Sequence, residues 1–121
     1  MSELKIRRAY AAPGPDEGRR VLVDRIWPRG IGKADLAGVT WLREVAPSTD
    51  LRKWFAHDPA RWAEFQRRYT SELNKIPDVR KTILPPKTKG TVTLLFGAKD
   101  TEHNNAVALK NYLQHHNHQA S

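Results

Sequence analysis

The chain has 121 residues, 39% of them hydrophobic, a length and composition that suit one modest core and exclude two independent domains. It contains no cysteine, which excludes disulfides, thiolate metal sites and cysteine nucleophiles and suits a reducing compartment. Its 21 Lys and Arg against 13 Asp and Glu give a formal net charge of +8, which favours an anionic partner.

The first part of the chain predicts two strands joined by a loop. Leu4–Tyr10 has the pattern of a short strand, and Ala11–Gly18 contains two prolines and two glycines, which predict an irregular loop. Arg20–Asp24 is a compact apolar run that ends in an acidic residue, a pattern typical of a strand buried on both faces of a parallel sheet. Because Pro28 follows closely, this second strand should end abruptly.

Three helices are predicted next. The first covers Val39–Val45 and stops before Pro47, which disfavours helical geometry in the residue that precedes it. Ser48 can cap a second, short helix through its side-chain oxygen, and Asp58 can cap a third helix with Pro59 at its first position. The third helix has the clearest apolar stripe, formed by Trp62, Phe65, Tyr69 and Leu73.

The last part of the chain predicts a helix, a strand and a final helix. Val79–Leu84 favours a helix that ends in an exposed loop between Pro85 and Gly90. Thr91–Phe96 is rich in β-branched and aromatic residues and predicts a second buried strand. After a turn, a helix is expected from about Thr101 to Leu113, followed by a flexible tail over about residues 114–121.

This order of elements predicts a single α/β domain over residues 1–121. Strands separated by helical stretches favour a small three-layer sandwich, with a mostly parallel short sheet and helices on both faces. The N-terminus lacks the features of a signal peptide, and no apolar run approaches the roughly 20 residues of a membrane span. We therefore expect a soluble, cytoplasmic protein without a membrane partner.

Charged residues follow both predicted buried strands. Ligands of open parallel sheets bind at the carboxyl ends of the strands, where helix N-termini also direct their amides. Three cations, Arg25, Arg29 and Lys99, therefore predict a pocket for a phosphate or carboxylate group. Arg29 is the main candidate, because Pro28 stiffens the chain before it and Gly30 leaves the backbone after it uncrowded.

Other residues near these strand ends have a structural and a functional interpretation. Asp24 can pair with Arg25 or cap a turn, or it can orient Arg29 or act as a general base. For Trp27 we expect packing within the protein rather than stacking against a ligand. His57 can exchange a proton near neutral pH, or it can contact carbonyl groups at a helix end.

The start of the last helix offers a similar choice. Asp100 can be the N-cap of this helix, or it can contact a ligand hydroxyl. His103 and Asn104 lie in the first predicted turn, close to any anion that the helix amides hold. The histidines between His115 and His118 have no carboxylate or thiolate companion, so they predict no metal site.

A set of recognisable segments runs along nearly the whole chain: Arg8–Tyr10, Val21–Gly30, Ala46–Ser48, Leu51–Phe55, His57–Trp62, Ala98–Asp100 and His103–Asn104. Together they resemble the bacterial family called domain of unknown function 488, specifically its short members. The resemblance implies a small α/β protein, and members of this family are sometimes labelled transcriptional regulators. It also implies that Arg8 and Tyr10 lie at the same sheet edge as Arg29 and Lys99. Phe96 departs from the family, in which Tyr is common at this position.

Two functions follow from these patterns. The first is binding or conversion of a small anionic ligand, phosphorylated or nucleotide-like; the alternative is a nucleic-acid-binding or transcription-associated module, favoured by the net charge and the basic helix after Pro59. The sequence indicates neither a cofactor nor a metal. For the first function, the candidate catalytic residues are Asp24, His57 and Asp100, and the candidate ligand-binding residues are Arg8, Tyr10, Arg25, Trp27, Arg29, Lys99, His103 and Asn104.

Overall fold

The computed structural model describes residues 2–84 and 90–115 of the chain. Four strands make up its sheet: β1 Ser2–Arg8, β2 Arg19–Leu22, β3 Thr40–Trp41 and β4 Gly90–Phe96. They lie in the order β1-β4-β2-β3, and every pair of neighbours is parallel. This sheet confirms the predicted α/β class. The loop predicted after Pro85, up to residue 89, and the predicted tail beyond residue 115 lie outside the described residues.

Strand β4 is the centre of the sheet. It pairs with β1 from Gly90 to Phe96 and with β2 from Val92 to Leu95. Its five residues from Val92 onward are buried, because a central strand of a parallel sheet is covered on both faces. The run of β-branched and apolar residues that predicts this strand therefore reflects burial on both sides.

Four α-helices occur in the described ranges: α1 Thr49–Phe55, α2 Trp62–Asn74, α3 Val79–Ile83 and α4 Asn105–His115. All four contribute to one hydrophobic cluster with Val21 and Leu94 of the sheet. The opposite face holds Leu22 and Leu95, which pack against Leu36 of the 3-10 helix Lys33–Leu36. Adjacent residues of a strand point to opposite faces of the sheet, so the two clusters lie on opposite faces. The α-helices cover one face, and the 3-10 helix Lys33–Leu36 packs on the other.

The caps predicted for two helices are confirmed. Ser48 Oγ accepts a hydrogen bond of 3.2 Å from the Leu51 amide at the start of α1. Asp58 Oδ1 accepts one of 3.0 Å from the Ala60 amide, with Pro59 at the first position of the 3-10 helix Pro59–Arg61 that leads into α2. Each cap satisfies an amide that has no partner within its own helix.

The helix predicted over Val39–Val45 is wrong. Thr40 and Trp41 form the short edge strand β3 against β2, and only Arg43–Val45 is helical, as a 3-10 turn. The Trp41 indole donates a hydrogen bond of 2.7 Å to the Asp24 carbonyl, which ties this strand to the end of β2. Pairing with β2 thus decides the conformation of Thr40 and Trp41, and the local sequence did not predict it.

Helix α4 begins at Asn105, four residues later than predicted. The Asp100 carboxylate accepts hydrogen bonds from the amides of Glu102 and His103, which holds this stretch in a compact turn. The Asn104 side chain then accepts from the Val107 amide at 3.0 Å, so Asn104 caps the helix in place of Asp100. Residues 114 and 115, predicted to belong to the tail, end the helix. None of the helices in the described part of the chain is long and apolar enough to cross a membrane.

Candidate functional site

A cavity of about 410 Å³ lies at the carboxyl ends of the strands. One wall comes from the segment after β2, between Asp24 and Arg29, and a second wall from Gly97 and Ala98 after β4. Residues of α1, of α2 and of the turn before α4 close the other sides, and Tyr10 lies at the rim, 43% exposed. The volume is within the usual range of small-molecule pockets, about 300–1,000 Å³.

Three arginines line this cavity, and they differ in what they bind. The Arg25 guanidinium donates to the Pro47 carbonyl at 2.9 Å and to the Ala46 carbonyl at 3.3 Å, so it holds the chain before α1 in place. The side chains of Arg29 and Arg52 are exposed, and neither forms a hydrogen bond or an ion pair within residues 2–84 and 90–115. Two cations are therefore available to a ligand.

Asp24 is held in the cavity wall by uncharged donors. Its Oδ2 accepts from the Gly97 amide at 2.8 Å, and its Oδ1 accepts from the Asn105 side-chain amide at 3.0 Å. A Cβ atom at Gly97 would lie 2.9 Å from Asp24 Oδ2 and 3.6 Å from the Pro28 Cβ. Glycine at this position therefore lets β4 approach the carboxylate closely, and neither the predicted pairing with Arg25 nor the predicted orienting of Arg29 occurs among the described ion pairs.

Burial raises the pKa of Asp24 above its ordinary value of 3.8, against the lowering effect of the hydrogen bonds from Asn105 and Gly97 and of the charges on Arg52 and His57. A carboxyl group whose pKa is raised on folding stabilises the fold below its unfolded pKa. That stability is lost as the pH rises through the folded pKa. Glu17 and Asp100 have lowered pKa values and therefore the opposite pH dependence.

We expect Asp24→Asn to change the pH dependence of stability in this direction. The free energy of unfolding of the variant minus that of the natural protein should increase as the pH rises from about 4 towards neutrality, because only the natural protein ionises a buried carboxyl group. Urea denaturation of both proteins across this pH range measures the difference. A difference that is constant with pH, or that decreases, would contradict the raised pKa.

The third wall of the cavity is aromatic and apolar. The rings of Phe55 and Phe65 stack at 4.4 Å between centroids with an interplanar angle of 27°, and both residues line the cavity. Pro28, Pro47 and Ile26 also line the cavity, and Ile26 has 57% of its surface exposed. The cavity thus combines charged groups with an apolar surface.

His57 also lines the cavity, on the segment between α1 and the next 3-10 helix. It and the preceding Ala56 both adopt left-handed backbone conformations, with φ of 57° and 48°. Two consecutive residues other than glycine in this region carry a conformational cost. The exposed His57 ring lies 6.4 Å from the Phe55 ring, between centroids.

The cavity brings together only part of the predicted set. Asp24, His57, Tyr10, Arg25, Arg29 and Asn104 line it, whereas Asp100, Arg8, Trp27, Lys99 and His103 do not. Trp27 packs against the Trp41 ring at 5.3 Å and donates to the Ile31 carbonyl, so its contacts are those of a packing residue. Lys99 is exposed to solvent.

The remaining predicted residues form local contacts beside the cavity. The His103 ring contacts the Asp100 carboxylate at 2.9 Å and lies edge-on to Trp62. Arg8 donates to the Ala98 carbonyl at 2.9 Å, and its guanidinium lies over the Tyr10 ring. These contacts lie at the carboxyl ends of β1 and β4, the end of the sheet at which the family resemblance places Arg8 and Tyr10.

Several cavity residues were missed by the sequence-based prediction: Arg52, Phe55, Phe65, Gly97 and Asn105. Arg52 follows the buried Leu51 on α1, a position that resembles any solvated helix residue. Asn105 had only its place next to Asn104 as a signal. Among the described residues there is no group of three potential metal ligands.

Comparison with known proteins places these residues in a family. A family model described as the inactive DUF488-N3 subclade matches residues 3–121. The uncharacterised protein YeaO of Escherichia coli is 39% identical over 111 residues, which cover 92% of this chain and 96% of YeaO. The uncharacterised protein Rv3073c of Mycobacterium tuberculosis is 48% identical over 73 residues, which cover 60% and 62% of the two chains. No solved structure matches the chain.

Proposed function

The chain belongs to the domain of unknown function 488 family, and we propose that it binds a small anionic ligand, phosphorylated or nucleotide-like, in the cavity at the carboxyl ends of its strands. The observation that carries this proposal is a pair of guanidinium groups, Arg29 and Arg52, which line one cavity and have no hydrogen-bond or ion-pair partner among the described residues. A guanidinium offers several donors in a fixed plane, which matches the oxygens of a phosphate or carboxylate group.

The neighbouring groups support a ligand larger than a free phosphate ion. The cavity volume of about 410 Å³ accommodates a small metabolite. The lining also has an apolar part, to which Ile26 and the largely buried Phe55 and Phe65 contribute, beside the cations. A nucleotide-like ligand has both an anionic group and a flat ring, and it could use both parts of the cavity.

We propose that the protein binds its ligand without converting it, and the family supports this choice. The matching subclade is described as inactive, and the family resemblance implies a Tyr in many relatives where this chain has Phe96, which has no hydroxyl group. Phe96 is 2% exposed and packs in the main hydrophobic cluster. The proposed role is therefore that of a binding or sensing protein for its ligand.

Adenosine 5′-monophosphate is a suitable first probe, and we expect it to bind at least about 100-fold more tightly than adenosine, because only the nucleotide can use the charged hydrogen bonds of the two arginines. Calorimetry at low and at high ionic strength measures both affinities, and amide chemical shifts locate the site. Shift changes should concentrate around residue 97 and residues 24–29. Equal affinity for the two compounds, or shift changes elsewhere, would contradict the proposal.

The same titration with a short DNA duplex tests the nucleic-acid alternative. The basic residues of α2 are already engaged: Arg67 and Arg68 contact Glu64, and Arg68 lies over the Trp54 ring at 4.2 Å. Pairing with an acidic side chain reduces the charge that such a surface presents to phosphates. Tight, salt-dependent duplex binding with shift changes on α2 would favour the alternative over the cavity.

A further inference from the structure

Asp24 is a negative group in the lining of a cavity that we propose to bind anions, and its contacts indicate a separate role. An ionised carboxylate has about four sites at which it can accept hydrogen bonds. Two are occupied, by the Gly97 amide and the Asn105 side chain. No Lys or Arg donates to this carboxylate in the part of the chain that the structure describes.

The position of Asp24 is fixed from several directions. The Trp41 indole holds its backbone carbonyl at 2.7 Å. Asn105 donates both to Asp24 and to the Val23 carbonyl, at 2.8 Å in the second case, which links the start of α4 to the end of β2. Neutral donors orient the carboxylate without neutralising it, so its remaining acceptor sites are preorganised for another hydrogen-bond donor.

A ligand that satisfies Asp24 must therefore present a donor, and one that satisfies Arg29 must present an anion. Repulsion keeps the anionic end of the ligand away from the carboxylate. The same lining has an apolar part, which includes Ile26, Phe55 and Phe65 and suits the apolar face of a ring. An amino-substituted base joined to a phosphate has all three properties.

We infer that Asp24 is a specificity-determining residue that accepts a hydrogen bond from the amino group of a nucleobase, and that the ligand class is a mononucleotide whose base carries such a group. This inference rests on the proposed function. It adds that the cavity distinguishes bases by their donors, because a base without a donor would cover the open acceptor sites of the carboxylate without forming a hydrogen bond to them.

The test compares adenosine 5′-monophosphate with purine riboside 5′-monophosphate, which has the same phosphate, sugar and ring but lacks the amino group. The natural protein should bind the second compound about 10- to 100-fold more weakly, the usual effect of losing a hydrogen bond to a charged group. In Asp24→Asn the difference should fall to within about 3-fold, through weaker binding of adenosine 5′-monophosphate. Glu44→Gln removes the same charge at an exposed position outside the cavity and should keep the discrimination.

The outcomes distinguish the contact of Asp24 with the base from the binding of the anion by the arginines. Equal affinity of the natural protein for both compounds would overturn the role of Asp24 and leave the anion site standing. Discrimination that persists in Asp24→Asn would also overturn it. If neither compound binds the natural protein, both the inference and the proposed function fail. The comparison on the natural protein decides the question even if Asp24→Asn does not fold.

Discussion

Replacement of Arg29 and Arg52 together by alanine is expected to weaken binding of adenosine 5′-monophosphate at least about 100-fold. Each guanidinium that binds the phosphate should contribute about 1.5–3 kcal/mol, and about 1.4 kcal/mol corresponds to a factor of ten in affinity. The melting temperature should change little, because both side chains are exposed and neither forms a hydrogen bond or an ion pair within the described residues. Calorimetry and thermal unfolding measure the two effects separately.

The control for this double variant is Lys53→Ala with Lys75→Ala. Both lysines are exposed and lie outside the cavity, so the control lowers the net charge by the same amount. It should reduce the affinity only through the weak, salt-dependent effect of overall charge. A similar loss of affinity in both double variants would mean that the net charge, not the cavity, attracts the ligand. A large loss of stability in the arginine variant would show that these side chains support the fold.

Replacement of Gly18 by alanine should cause a large loss of stability. Gly18 has a φ of 64°, and a Cβ atom added there would lie 1.9 Å from the Thr91 carbonyl oxygen on the central strand. The left-handed conformation costs a residue with a Cβ about 1–2 kcal/mol, and the steric overlap adds about 1–3 kcal/mol. The shift would also disturb the hydrogen bond of 2.7 Å from the Thr93 hydroxyl to the Glu17 carbonyl. We expect a loss of about 2–5 kcal/mol, measured by urea denaturation.

Two other glycines separate the contributions to this loss. Gly30 has a φ of 82° but no atom within 4 Å of the added Cβ, so Gly30→Ala should show the conformational cost alone, about 1–2 kcal/mol. Gly14 has no positive φ and the same open surroundings, so Gly14→Ala should change the stability by less than about 1 kcal/mol. Equal losses at Gly18 and Gly30 would show that the contact with Thr91 is relieved at no cost.

Part of the candidate site could be predicted from the sequence, because the composition of two segments predicts buried strands. The buried runs before Asp24 and Gly97 predict strands, and parallel strands bring their carboxyl ends to one edge. Arg25, Arg29 and Asp24 follow the first of these strands, and all three line the cavity. Their places in the sequence do not show that Arg25 is bound within the protein and Arg29 is not, because the carbonyl groups that bind Arg25 come from a segment more than twenty residues away.

The other site residues depended on contacts that a local pattern does not contain. Arg52 lines the cavity because α1 packs across the end of the sheet. Lys99 follows a strand in the same way as Arg29, yet the turn held by Asp100 leaves it exposed. The path of the turn after each strand decides which side chain faces the cavity, and spacing along the sequence does not carry that information.

The sequence by itself determined the features that short-range physics controls. Some features depend only on neighbours within a few residues, and these were predicted correctly: the helix α2 from its apolar stripe, the strand β4 from its composition, and the caps at Ser48 and Asp58. Tertiary structure decided the rest. The segment Val39–Val45 forms a strand and a 3-10 turn instead of a helix, because Thr40 and Trp41 pair with β2. The cavity residues likewise became a set only when the ends of the strands, α1, α2 and the start of α4 met, since a site requires side chains from distant segments to converge.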